Sequence, residues 1–511
     1  MNIAAIYVLI CVAVLPFWIV QQHLGGRSIP FILTTCGYVL CALMFGVNIP
    51  MDNITLIIGC IAAWLLVSLT WTNTRLSVFE LFNLLSCLML FTAARTVPLV
   101  ITALVVFATG ASFAAVEIIR IFTRRRLPEV NEVVCFGNGN HTGAFMLISL
   151  FVGVWLTINL SVWFIPFVGF VGFTLVISKC KGAVVGFIAG SVVMFIMLGA
   201  WPAAALVCVA VTAFVLRRFG SIPYVQRSIG GRVWLCLAAL EMIVKKPFTG
   251  WGLNSYQKEL PDIIAEITKS KLHKYVGEKL KEEMNARSHR VHNDHLEVMA
   301  EVGITGYLLF VYFFSSITAY DPIILGLLIA FLVHACFFFP FREVHTAVPF
   351  WAIMGSMTGG TIGIVAIPLL VKILIACIVV AVIIQTLHKF LGQWYSEAAK
   401  NKNVTEQQKL KRIDIALLHD PYDTGYLSDA AFYYSKIDPI QSFLYAARCF
   451  IHYDGSRMKH GIYDLFARTL IEATEQKICN YIEDKALWLK PDFQPAMTIK
   501  SYLQAHKGRG Y

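Results

Sequence analysis

Residues 366–387 read AIPLLVKILIACIVVAVIIQTL, 22 positions in which Lys372 is the single charge. A helix needs about 20 apolar residues to cross ~30 Å of hydrocarbon, and in lipid only helices and closed barrels satisfy their own backbone. The stretch therefore reads as a membrane-crossing helix. Residues 56–71 (LIIGCIAAWLLVSLTW) and 99–116 (LVITALVVFATGASFAAV) have the same character. Over 511 residues, 58% are hydrophobic and 14% charged, with a mean hydropathy of +0.68, a balance that excludes the soluble globular classes. The opening run at 3–20, IAAIYVLICVAVLPFWIV, lacks a basic flank and a small-residue cleavage site, so it reads as an uncleaved helix.

The fold class expected is all-α, a polytopic integral membrane protein of about 12–14 crossings. Residues 1–216 carry the N-terminal crossings, about nine of them. Residues 217–295 turn amphipathic and charged and form the one long loop of the membrane part, where function concentrates. Residues 296–391 resume about four crossings, at 296–312, 323–339, 346–357 and 362–390. Residues 392–511 have a soluble composition with helical periodicity, and HDPYDTGYLSDAAFYY faintly echoes tetratricopeptide hairpins without a clean repeat.

The thirteen cysteines lie mostly in apolar runs and include no CxxC pair, so they read as packing residues. A net charge of +11, spread through so apolar a chain, points to anionic headgroups and phosphates and away from nucleic acid. Arg124, Arg125, Arg126, Lys179 and Lys181 fall on the same face as the long loop and the tail when the crossings are counted. The positive-inside rule would make that face cytoplasmic. Gathered cations are also what a pyrophosphate site requires, so the bias has two readings.

The most specific segment closes the long loop: residues 292–306, HNDHLEVMAEVGITG. A histidine where a polar loop meets a helix start can reach water and headgroups, and its near-neutral pKa suits it to accept a proton from a sugar hydroxyl. Gly303 and Gly306 would let the helix approach a neighbour closely and hold His292 in place. A lone interfacial histidine is more often incidental; here the spacing carries the catalytic reading. No Walker loop, HExxH, Ser-His-Asp spacing or DxD-like element stands out. A donor with a pyrophosphate leaving group needs a base on the acceptor and cations on the departing charge, so the expected site uses neither cofactor nor metal.

Residues 292–306 resemble the signature of the O-antigen ligase and O-antigen polymerase superfamily: His, then Asn, Ser or Gln, nine residues, and GxxG. Leu309 departs from that family's small residue or Trp three positions beyond the second glycine. Residues 230–256, GGRVWLCLAALEMIVKKPFTGWGLNSY, resemble its Gly-Arg, amphipathic helix, Pro and Gly-x-Gly stretch, and Arg232 then takes the place of an arginine implicated in contacting lipid pyrophosphate. In SKCKGAVVGF, at 178–187, Lys181 stands where relatives carry a second arginine, with Lys179 beside it. CFGNGNHTGAF and LVHACFFFPFREVHTAVPFWAIMG are weaker matches, and together the resemblance spans about 138–355.

The resemblance implies a glycosyltransferase in the cell inner membrane, its active site on the periplasmic face, moving an undecaprenyl-pyrophosphate-linked glycan onto an acceptor glycan, a lipid A core or a protein hydroxyl. In this scheme His292 is the base, Arg232, Lys181, Arg290 and Lys179 hold the pyrophosphate, and Asn293, Glu297, Gly303, Gly306 and Asn254 support them. Ligase or polymerase leads over protein O-oligosaccharyltransferase, because GNGNH stands where that group carries Gln-Pro-Asn. A non-catalytic flippase for the same lipids would explain the basic face but not the His-Asn spacing.

Overall fold

The structure is a computed structural model of the full chain, and it describes residues 3–16, 29–45, 48–50, 52–72, 76–124, 138–206, 223–269, 290–317, 321–359, 362–364, 368–401, 404–435 and 437–452. Arg125, Arg126, residues 270–289 of the long loop and the tail beyond 452 lie outside these.

Among the described residues the protein is all-α apart from one antiparallel pairing of three-residue strands, β1 (Asn48–Pro50) with β2 (Ile362–Ile364). That pairing corrects the expected crossing at 362–390: the helix begins at Leu369, after Pro368, whose ring suits a helix start. In chain order the helices are α1 (Ile3–Leu9, continued by a π-turn over Ile10–Val14), α2 (Ile29–Phe45), α3 (Asn53–Ser68), α4 (Leu76–Ala94), α5 (Leu99–Arg124), α6 (Gly139–Asn159), α7 (Ile165–Ile177) and α8 (Lys181–Met197). The former long loop supplies α9 (Pro223–Lys245) and α10 (Tyr256–Lys269). There follow α11 (Asp294–Ser316), α12 (Pro322–Ala335), α13 (Val344–Thr358), α14 (Leu369–Ala399) and the tail helices α15 (Glu406–His419), α16 (Thr424–Tyr434) and α17 (Pro439–Ile451).

Five described helices, α4, α5, α6, α11 and α14, are long and apolar enough to cross a membrane, and shorter apolar helices pack among them. Helix α6 is 83% buried inside the bundle whereas α14 is 17% buried, so α14 turns its Ile and Val faces outward, as a lipid-facing helix does. Lipid tails offer apolar side chains no contrast, so close helix contact depends on small residues. Along α8, Gly186 and Gly190 face the carbonyls of Ala330 and Gly326 on α12, and a Cβ at either would stand 2.4 or 2.2 Å from those oxygens. The backbones thus meet, and Gly182, one turn earlier, abuts the ring of His334. This contact fixes the Lys179–Lys181 turn beside the last turn of α12.

A second, smaller core joins Trp234, Leu235, Ala238 and Met242 of α9 to Tyr256, Leu260 and Ile263 of α10 and to Val291. Tyr256 Oη donates to Leu235 O at 2.9 Å, tying the two helices across their connection. The tail has its own core of Ile413, Leu417, Leu427, Ala430 and Cys449, joined by Tyr395 and Ala399 at the end of α14.

Candidate active site

Val291 is fully buried in the core of α9 and α10, and the residue after it, His292, takes a left-handed backbone conformation with φ +58°. Only three non-glycine residues among those described have positive φ: Lys179, Asn254 and His292. All three are site residues expected from the sequence. Such conformations cost about 1–3 kcal/mol each and persist where surrounding structure imposes them.

At His292 the imposing contacts are identifiable. Asn293 caps α11, its Oδ1 accepting from Leu296 N at 3.1 Å. Glu297 Oε2 accepts from Val291 N at 2.9 Å, so the backbone on both sides of His292 is held by the first turn of α11. The imidazole packs against Phe338 and Phe339, with ring centroids 6.3 and 5.2 Å away, and its Nδ1 has no hydrogen-bond partner among the described residues. Burial, reinforced by the positive charge of Arg232 and opposed by Glu297, pushes its pKa down to about 4. At neutral pH the ring is therefore neutral and able to accept a proton.

Arg232 lies on α9, two residues before Trp234 of the small core. Its charge reaches His292 and also the Cys180 thiol, which burial nonetheless pushes up to about 11. Cys180 sits between the exposed Lys179 and Lys181 at the start of α8, so Arg232 is within electrostatic reach of both His292 and the turn that carries the two lysines. These are the cations the sequence reading assigned to pyrophosphate.

Arg290 is turned elsewhere. Its guanidinium donates to Glu297 Oε1 at 2.9 Å, Glu80 Oε2 at 3.2 Å and Asn254 Oδ1 at 3.3 Å. Arg342 meets Glu80, Glu297 and Asp294 at 3.3, 3.4 and 3.6 Å and Glu301 at 2.8 Å. Four carboxylates and two arginines thus form one buried cluster directly behind His292. Removing one partner from such a cluster strands a buried charge, at a cost of about 3–5 kcal/mol. Glu80, Glu301 and Arg342 were not singled out from the sequence. The signal was present, since Asp294, Glu297 and Glu301 recur at i, i+3 and i+7 on a helix entering the membrane, where an acid is functional by default.

Gly303 does something other than seat a neighbouring helix. At φ +72°, ψ 176° it interrupts α11, and the freed backbone is taken up locally. Trp251 N donates to Ala300 O at 3.0 Å, Gly252 N to Glu301 O at 2.7 Å and Trp64 Nε1 to Val302 O at 2.9 Å, while Ile304 N donates to Pro247 O at 2.7 Å. Broken helices persist at membrane depth under this condition. The 247–252 segment comes so near that a Cβ on Gly303 would stand 2.1 Å from Phe248 O. Gly306 does serve close packing, against Trp64 of α3. A cavity of about 90 Å³ behind the break is lined by Trp64, Leu88, Phe313 and Trp351, with Asp294 and Arg342 among its walls. Such apolar walls suit hydrocarbon better than sugar.

With this geometry in hand, residues 145–311 match the family model described as O-Antigen ligase. The match supports the O-antigen ligase and polymerase superfamily, and with it a membrane glycosyltransferase-like enzyme acting on a lipid-linked glycan and an acceptor. It takes in Lys179, Lys181, Arg232, Asn254, Arg290, His292, Glu297, Gly303 and Gly306, and it stops short of Glu80 and Arg342. No curated protein matches the chain in sequence.

Proposed function

Taking the O-antigen ligase and polymerase superfamily as premise, we propose that this chain transfers or polymerises an undecaprenyl-pyrophosphate-linked glycan onto a sugar hydroxyl at the periplasmic face of the inner membrane. His292 accepts the acceptor's proton as the hydroxyl oxygen attacks the anomeric carbon and the bond to pyrophosphate breaks. Arg232, Lys179 and Lys181 take the departing charge, with Arg232 offering a bidentate fork and the lysines point charges. An in-line displacement of this kind inverts the anomeric centre. Arg290, committed to Glu80 and Glu297, positions the His292 backbone through Glu297 instead of touching phosphate. The observation that carries this reading is a buried imidazole on a strained backbone, its Nδ1 without a hydrogen-bond partner among the described residues, within electrostatic reach of Arg232.

Purified protein in liposomes, given lipid-linked donor and acceptor, tests the assignment. A positioned base contributes about 10²–10⁴-fold, so His292→Ala should lose transfer by that factor while still binding donor. Arg232→Ala should weaken donor binding and Arg232→Lys less so. Full transfer by folded His292→Ala overturns the base assignment. Wild-type protein that moves donor across the bilayer without joining glycans would favour a flippase.

A further inference from the structure

Near the cluster behind His292, but sharing no residue with it, three ligand-type side chains from distant parts of the chain converge. His141 lies on the first turn of α6, while Glu343 and His345 flank the start of α13. His141 Nδ1 is 3.8 Å and His345 Nε2 is 3.9 Å from Glu343 Oε2, and the candidate ligand atoms all lie within 4.8 Å of one another. The two imidazoles stand 4.3 Å apart between centroids at 70° to each other. Both histidines are buried.

These spacings are too long for N–H···O hydrogen bonds and close to those of a coordination sphere. A tetrahedral ion with nitrogen and oxygen ligands at about 2.0–2.2 Å sets its ligand atoms about 3.4 Å apart. The two Glu343 distances would have to shorten by about half an ångström and the widest pair by up to about 1.4 Å, within the reach of side-chain rotations, and two imidazoles with one carboxylate are a zinc-type donor set that leaves one position open. The electrostatics count partly against a cation, because two helix N-termini, each with about half a positive charge, point at the place. Glu343 supplies the opposing charge, so binding should depend on it most. The ring of His141 is further held edge-on by Phe338 and Phe339 at 5.0 and 6.3 Å, the same two rings that carry His292.

We propose that His141, Glu343 and His345 bind a divalent transition-metal ion of the zinc class, which clamps the N-terminal ends of α6 and α13 together beside the Phe338–Phe339 turn. The ion takes part in no step of glycan transfer; it fixes the surface against which His292 packs. The site stands independently of the glycosyltransferase reading, and its readout is metal content.

Full-length protein, purified in detergent, stripped with chelator and reloaded with Co²⁺, should hold one ion per chain, with visible absorption of a low-coordinate site. Glu343→Gln should abolish that uptake and His141→Ala should weaken it at least tenfold. A second histidine pair, His388 in the C-terminal half of α14 and His419 of the tail helix α15, provides a control, and His388→Ala should bind as wild type. Because an alanine variant could fail by misfolding, His345→Cys provides the decisive case: a thiolate is a zinc-class ligand, so this variant should bind Co²⁺ with a sulfur-to-metal charge-transfer band. Wild-type protein that takes up no ion, uptake that survives Glu343→Gln and His141→Ala, or a folded His345→Cys without that band overturns the proposal.

Discussion

His292 combines three properties that a general base in a membrane interface needs: a fixed backbone, a neutral ring and a nearby cation for the leaving group. Each traces to a named contact. Glu297 fixes the backbone by accepting from Val291 N, burial keeps the ring neutral, and Arg232 supplies the charge. The pH dependence follows with a definite sign. The folded pKa, about 4, lies below the 6.5 of an exposed histidine, so the unfolded chain binds this proton more readily. The stability that His292 contributes is complete above about pH 6.5 and is lost as the pH falls towards 4. For catalysis, the acid limb of kcat/KM should fall near pH 4 and not near 6.5. In Arg232→Ala, which removes a charge that depresses the pKa, the limb should move upward. A wild-type limb near 6.5 that is unmoved in Arg232→Ala would show that the titrating group is not His292. The spacing of His292, Asn293 and Gly303 made this residue legible in the sequence. The commitment of Arg290 to Glu80 was not legible, because 210 residues separate the pair and only tertiary structure sets an arginine between a carboxylate and a phosphate.

Helix α11 is the element in which fold and site meet, and its break at Gly303 allows the 247–252 segment to dock. The two glycines were legible as close-approach positions, but which backbone approaches was not, since helix and loop neighbours impose the same demand for a missing Cβ. Gly303→Ala meets two obstacles at once, a positive φ and the Phe248 carbonyl 2.1 Å from the new Cβ. Gly199 has nearly the same φ, +71°, with open space around it, so Gly199→Ala isolates the backbone term, about 1–3 kcal/mol. Gly303→Ala should therefore lower the unfolding temperature in detergent by clearly more than Gly199→Ala and should also lose transfer, because Trp251 and Gly252 donate to the carbonyls the break exposes. Equal shifts in the two variants would mean that the 247–252 segment yields without cost. The four-carboxylate cluster was half legible: the i, i+3, i+7 acids lie in one line of sequence, whereas Arg342, which pairs with all three, belongs to the connection between α12 and α13.

Over the whole molecule, contacts at helix ends arrange the passes. Helix α4 begins at the site with Glu80 and ends at Arg95, which pairs with Asp52 and donates from Nε to Gly359 O at 2.8 Å. Helix α13 starts beside the site at Glu343 and reaches that same Gly359. Its 15 residues cover about 22 Å, the distance over which α4 carries Glu80 to Arg95, so the short segment runs alongside a membrane-length helix instead of turning back. Helix α14 starts after Gly359 and returns, for Lys389 Nζ lies 4.4 Å over the ring of Phe79, next to Glu80. The 20 residues from Leu369 to Lys389 rise about 30 Å, one hydrocarbon thickness. We therefore expect α11, α12, α13 and α14 to make four passes and the tail to emerge on the face that holds His292, although of these four only α11 and α14 have the length and apolarity of full spans. The Lys and Arg count would make that face cytoplasmic, yet under the proposed function Arg232, Lys179 and Lys181 would have a phosphate-binding reason to be there. We therefore expect both site and tail outside the cytoplasm. In a cysteine-free background, Glu266→Cys on α10 and Lys411→Cys on α15 place one exposed thiol each on the site side and on the tail. Both should react with an impermeant thiol reagent in intact spheroplasts. Reaction of neither until lysis would put the site in the cytoplasm and overturn the periplasmic placement. Reaction of one without the other would remove a pass from the four and leave the tail across the membrane from His292.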